Sequence, residues 1–185
     1  MKEGIRIAAL ASGPIRRGRP HARALLVCIV GNSKGVEGVL STYVEVDGAD
    51  STKRIAGMMA KSRFMDQVRV IALNGIAVAG LNIVDVNGLG KRLGAEILIV
   101  TRHRPRSALL SESVRKFADA AGVDASGKLK IIAAQGRYRR TAGFYAWSSF
   151  SWKETELIVP YAAKLLRLSH MIASGVSVGE SRGRI

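Results

Sequence analysis

The sequence predicts an α/β fold: a mixed sheet in which a three-stranded antiparallel meander continues into parallel strands, with helices on both faces. Three observations predict it. The first three apolar runs are separated by glycine-containing turns, and the second and third are rich in β-branched residues, as hairpin strands are. Two later runs, 68–73 and 97–100, are dominated by Val, Ile and Leu, the pattern of strands covered on both faces. The segment between those two is long enough for a crossover helix, which makes them parallel.

Taken in order, Ile5–Ala11 reads as the first strand, closed by the turn Ser12-Gly13-Pro14. Arg16-Arg17-Gly18-Arg19-Pro20-His21 is a basic loop. Ala24–Val30 and Val39–Val46 form a hairpin. From Ser51 the period changes, and Ile55, Met58, Met59 and Ser62 share one helical face. A crossover helix is expected within Ala79–Leu93, weakened by Gly88 and Gly90. Ser111–Ala121 reads as a helix with a Glu112–Lys116 pair at i,i+4. Leu129–Ala134 is expected to be a last strand. Ile158–Ser174 is the strongest helix, with Tyr161, Leu165, Leu168 and Ile172 on one face and Gly175 placed to close it. No internal repeat or low-complexity linker interrupts the 185 residues, so one domain spanning 1–185 is expected.

Lys and Arg number 29 against 14 Asp and Glu, a net charge of +15. Such an excess creates a field that attracts polyanions, of which nucleic acid is the commonest. A solvated basic surface without a partner is the plainer explanation of the same charge. An anionic membrane would call for an amphipathic helix with a lysine-rich face, and none is evident. No apolar run reaches the length of about 18 residues that a span needs. The N-terminal residues MKEGIRIAAL lack the apolar stretch of a signal peptide. Cys28 is the single cysteine, so no disulfide forms within the chain and a cytoplasmic location is expected.

Functional groups of open α/β sheets collect at the carboxyl ends of the parallel strands. That rule selects Ala11-Ser12, Asn74, Asp47 and Asp50 after the third strand, and Asp85 before the crossover helix. Several carboxylates converging there could hold divalent cations that clamp the two oxygens of a phosphodiester exchange. Each aspartate also has a structural reading. Asp47-Gly48 is a turn pair, Asp50 suits a helix N-cap, and Asp85 suits a first helical turn. The histidines His21, His103 and His170 show no metal-ligand spacing.

Arg137, Arg139 and Arg140 lead into a stretch that holds Phe144, Tyr145, Trp147, Phe150 and Trp152. With Tyr138, these are six of the ten aromatic residues in the chain. Arginines beside rings are what single-strand binders use, and rings covering one face of a sheet give the same sequence.

These positions resemble the archaeal endonuclease dU family, which is similar to endonuclease V. The resemblance is carried by Val46-Asp47-Gly48-Ala49-Asp50-Ser51-Thr52 and by Asn74-Gly75-Ile76-Ala77-Val78-Ala79-Gly80-Leu81-Asn82-Ile83-Val84-Asp85. Two further stretches are Arg167–Gly175, which includes His170, and Gly179-Glu180-Ser181-Arg182-Gly183-Arg184. It implies a ribonuclease H-like fold, dependence on Mg²⁺ or Mn²⁺, and cleavage of deoxyuridine-containing DNA. It also implies aspartates where this chain has Ala11-Ser12 and Asn74. Asparagine keeps an oxygen ligand without the charge, and alanine keeps neither.

The resulting expectation is a nucleic-acid-binding protein, favouring DNA over RNA, whose remnant metal site (Asp47, Asp50, Asn74, Asp85) binds a divalent cation weakly or not at all. Nuclease activity is then weak or absent. Phosphate contacts are expected from Arg16, Arg17, Arg19, Arg102, Arg104, Arg137, Arg139, Arg140 and Arg182, and the family motif adds His170, Glu180 and Ser181. The alternatives are an active metal-dependent endonuclease and a basic structural subunit that binds an acidic protein.

Overall fold

A computed structural model describes residues 4–15 and 22–181. Strand β1 (Arg6–Ser12) precedes the hairpin β2 (Arg23–Asn32) and β3 (Gly35–Glu45). Helix α1 (Ser51–Ala60), strand β4 (Val68–Leu73) and the small hairpin β5 (Ala77–Val78) and β6 (Asn82–Ile83) follow. Then come α2 (Val86–Leu93), β7 (Glu96–Thr101), α3 (Ser107–Ala121) and α4 (Ser126–Ala133). The chain closes through β8 (Arg139–Thr141), β9 (Phe144–Ser148) and α5 (Trp152–Val178).

Among the described residues one seven-stranded sheet has the order β3-β2-β1-β4-β7-β9-β8. β1, β4 and β7 are parallel neighbours, while the β2–β3 hairpin and the β9–β8 hairpin flank them antiparallel. This is the ribonuclease H-like mixed sheet that the sequence predicts. Side-chain alternation splits its core in two. Ala8, Leu10, Leu26, Cys28, Ile71 and Ile99 face α1 to α4, and Ile7, Ala9, Val27, Ile29, Ala72 and Leu98 face α5. Cys28 is sealed in the first core, where burial pushes its thiol far above the usual range, so it is an inert core residue.

Three expectations need correcting. Leu129–Ala133 lies in α4 and Ala134 is its C-cap, so this run is not a strand. Asp124 opens that helix by accepting from the Ser126 N–H at 2.9 Å and the Ser126 hydroxyl at 2.6 Å. The place beside β7 belongs to β9, whose residues come from the basic-aromatic stretch. The crossover segment begins with the β5–β6 hairpin and becomes helical only at Val86. Helix α5 begins six residues before Ile158 and runs past Gly175 to a left-handed cap at Gly179, φ 86°. Its start is set by Ser151 and Glu154, spaced as a capping box. Pro160 is tolerated inside the helix because it is exposed, where the carbonyl it leaves without a partner can meet water.

Helix α5 is held along β1 by packing and by one buried hydroxyl. Ile158, Val159, Leu165 and Leu166 are sunk in the second core, each worth about 1.5–3 kcal/mol of burial. The Ser169 hydroxyl lies 2.7 Å from the Ala9 carbonyl in mid-strand. At the end of β1 the approach is so close that a Cβ on Gly13 would stand 2.7 Å from the Ala173 carbonyl oxygen. Only glycine fits there.

Candidate nucleic-acid and metal site

The carboxyl ends of β1, β4 and β7 lie side by side, and two clefts meet there at Asn74 and Ala77. The first, about 300 Å³, is lined by Ala11, Ser12, Gly13, Asn74, Gly80 and His170 among others. The second, about 310 Å³, lies between the loop after β7 and the segment after α4; its lining includes Thr101, His103, Arg104, Arg106, Gln135 and Tyr138. Both clefts therefore lie at the sheet edge that the strand-end rule selects.

Of the positions singled out for metal chemistry, Ala11, Ser12 and Asn74 line the first cleft, while Asp47, Asp50 and Asp85 are not among its lining residues. Asp47 adopts a positive φ of 57° and packs behind Gly80. Its Oδ1 accepts the Leu81 N–H at 2.7 Å, and its own N–H donates to the Ala79 carbonyl at 2.9 Å. Gly80, at φ +87°, has no room for a side chain, since a Cβ would lie 2.2 Å from that Oδ1. The Lys128 ammonium donates to the Asp47 carbonyl at 2.7 Å, tying α4 to the same turn. Burial holds Lys128 below the usual lysine range, partly offset by the Asp47 charge.

Asp50 stands before α1, and its side chain makes no cap bond. Oδ1 accepts the Glu45 N–H at 3.0 Å and the Asn82 amide at 2.8 Å, and Oδ2 pairs with the Arg54 Nε at 3.0 Å. Burial works against its ionisation. The Glu45, Asn82 and Arg54 donors outweigh that effect and hold the carboxyl below the usual range. Asn82 is fully buried and is the hub of this junction. Besides Asp50 it donates to the Glu45 carbonyl at 2.9 Å and accepts the Ser51 N–H at 3.1 Å. Asp85 caps α2 by accepting the Gly88 N–H at 2.9 Å, and its own N–H donates to the Thr52 hydroxyl at 2.9 Å. The N-termini of α1 and α2 are thus stitched together.

These donors do not fit a pair of hard divalent cations, which need several converging carboxylates. Among the described residues no three of His, Cys, Asp and Glu come together as a metal-holding group. The strand tips that line the cleft carry Ala11 and Asn74, which supply no charge.

The motif residue His170 does reach the first cleft. Its Nδ1 lies 3.3 Å from the Ser12 carbonyl and its Nε2 lies 3.4 Å from the Ser174 hydroxyl. Glu180 and Ser181 follow the Gly179 cap, and Glu180 is exposed. Arg104 lines the second cleft, and Arg102, Arg137, Arg139 and Arg140 are exposed. Arg139 lies 4.1 Å above the Trp152 ring. The basic loop carrying Arg16, Arg17 and Arg19, and the residue Arg182, lie outside the described residues. The aromatic stretch mostly covers the sheet. Tyr138 and Trp147 pack on one core, and Phe144, Phe150 and Trp152 on the other.

Sequence reasoning passed over Gln135, Tyr138 and Arg106 as members of one cleft. The signal was weak, a strand end followed by a Pro105 turn into a helix, and the second wall comes from more than 25 residues downstream. Tyr138 is half-buried there, and burial pushes its hydroxyl up to about 12.

The chain is 30% identical over 189 residues to the UPF0215 protein of Methanothermobacter thermautotrophicus, covering 99% of this chain and 93% of that one. A relative of the same designation from Thermococcus gammatolerans is 34% identical over 167 residues, 87% of this chain and 85% of its own. A crystal structure of a protein of unknown function from Archaeoglobus fulgidus shares the fold. Its TM-score is 0.81 at 23% identity, covering 95% of this chain and 98% of that one. The family model described as Endonuclease dU matches residues 3–177. With that match extending over nearly the whole sheet and its helices, the chain belongs to the endonuclease dU family.

Proposed function

We propose that this protein binds nucleic acid across the carboxyl edge of β1, β4 and β7, and that its metal-dependent hydrolysis is weak or absent. One observation carries the reading. In a chain of net charge +15, the edge where the family implies carboxylates presents the neutral residues Ala11 and Asn74. Asp47, Asp50 and Asp85 meanwhile hold backbone N–H groups. Two Mg²⁺ or Mn²⁺ ions would be poorly neutralised there, whereas a polyanion would be attracted. The cationic contacts come from Arg102, Arg104, Arg137, Arg139 and Arg140, with Arg16, Arg17, Arg19 and Arg182 as further candidates. DNA is favoured over RNA because family membership is the only guide to the polymer.

The retained aspartates and the family membership favour a second reading, an active endonuclease on deoxyuridine-containing DNA with an altered metal site. Duplex binding measured against salt tests the first. With Z phosphate contacts the slope of log K on log salt is near −0.9Z, so several contacts give a steep line, and a flat response counts against the proposal.

A further inference from the structure

We infer that the second cleft, between the loop after β7 and the segment after α4, is a seat for a single phosphoryl group; the source of that group rests on the nucleic-acid reading above. Among the described residues its lining contains Arg104, Arg106 and His103 and no acidic residue, so none of these side chains opposes an anion. Gln135 lines the same cleft and carries an amide donor. Tyr138 donates to its Oε1 at 3.4 Å, which leaves Nε2 as the donor end. That Nε2 is buried and has no hydrogen-bond partner among the described residues. A buried amide donor without an acceptor costs free energy, and a turn of the Gln135 side chain toward an oxygen-rich anion in the cleft would remove that cost.

The first turn of α3 adds to this without being needed for it. Ser107 lines the cleft, the preceding Arg106 makes no side-chain cap, and no acidic residue occupies that turn. First-turn N–H groups lack partners within their own helix and favour anions. Two arginines, a histidine, an unpaired amide and a helix terminus therefore belong to one cleft. That arrangement suits the several oxygens of a tetrahedral phosphate better than the two coplanar oxygens of a carboxylate. Ile76, Pro105 and Leu110 form an apolar wall beside them, room for the ester portion of a phosphate mono- or diester.

The test uses the full chain and inorganic phosphate, followed by NMR at constant ionic strength with chloride as the balancing anion. Saturable shifts are expected at the Gln135 side-chain amide and at the amides of Ser107–Leu109. The double change Arg104→Ser with Arg106→Ser should weaken phosphate binding about tenfold or more, since charge-assisted bonds are lost. Gln135→Met should weaken it severalfold at unchanged melting temperature. Phosphate that displaces an oligothymidylate without a terminal phosphate identifies a strand diester as the source. Displacement only of the 5′-phosphorylated oligomer identifies a terminal or free monoester. Shifts that track ionic strength alone would overturn the seat. Oligothymidylate binding with a steep salt slope, indifferent to phosphate and to these variants, would also overturn the seat and leave the nucleic-acid reading intact. Phosphate binding without oligonucleotide binding at low salt would do the reverse.

Discussion

Two flanks of Asn74 use their charged side chains in opposite ways. On the flank built from the β3–α1 and β6–α2 junctions, the acidic groups turn inward onto backbone. Asp47 holds the Leu81 N–H, Asp50 holds the Glu45 N–H and the Asn82 amide, and Asp85 caps α2. On the flank built from the loop after β7 and the segment after α4, Arg104, Arg106 and His103 line an open cleft to which no described residue contributes an acid. The first flank is hydrogen-bonded scaffold, and the second is the surface that the proposed function assigns to the polyanion. The lesson is that carboxylates at the right end of a sheet are not thereby ligands. What decides is whether their oxygens converge or each has a backbone donor of its own.

The largest expected effect tests the scaffold side. Asn82→Leu should leave the buried Ser51 N–H without its acceptor and the Glu45 carbonyl without one donor, costing about 3 kcal/mol. Chemical denaturation would measure it, and a loss below about 0.5 kcal/mol would show that the junction is not the hub described.

A gain of function probes the same flank from the other side. Ala11→Asp with Asn74→Asp restores two negative charges at the strand tips and should tighten Mn²⁺ binding about tenfold, because hard cations follow carboxylate charge and count. Calorimetric titration reads this. An unchanged affinity would mean that these tips and the aspartates never shared a site.

The smallest effect concerns acid. Asp50 has a folded-state pKa lowered below its unfolded value, so its contribution to stability is fully present above the unfolded value of about 3.9 and is lost as pH falls through the lower folded one. Asp50→Asn should therefore flatten the acid end of the stability curve, by well under the Asn82 effect, since Asp50 and Arg54 are partly exposed. An acid limb of unchanged slope in the variant would place the titrating group elsewhere.

Much of this was legible beforehand. The meander, the parallel pairing of β4 with β7 and the start of α1 follow from period and length alone. The edge bearing the two clefts follows from strand direction. The sequence offers Asp50 as the helix N-cap and Asp85 as a first-turn residue; in the structure the Asp50 side chain makes no cap bond and Asp85 is the one that caps α2, and nothing local could say that Asp50 would meet Asn82, which lies 32 residues away. Leu129–Ala134 misled because a short apolar run carries no decisive period, and its fate turned on β9 taking the neighbouring place. The second cleft was hidden for the same reason, since its walls meet only after α3 and α4 have folded back.

On the proposed function, this family member binds nucleic acid without an effective metal site. Single-turnover cleavage of deoxyuridine-containing duplex by the unmodified protein, across a Mn²⁺ titration, tests it most directly. Binding of the duplex with negligible metal-dependent cleavage is the expected result. Rapid cleavage that saturates with Mn²⁺, abolished by Asp47→Asn at unchanged melting temperature, would contradict it.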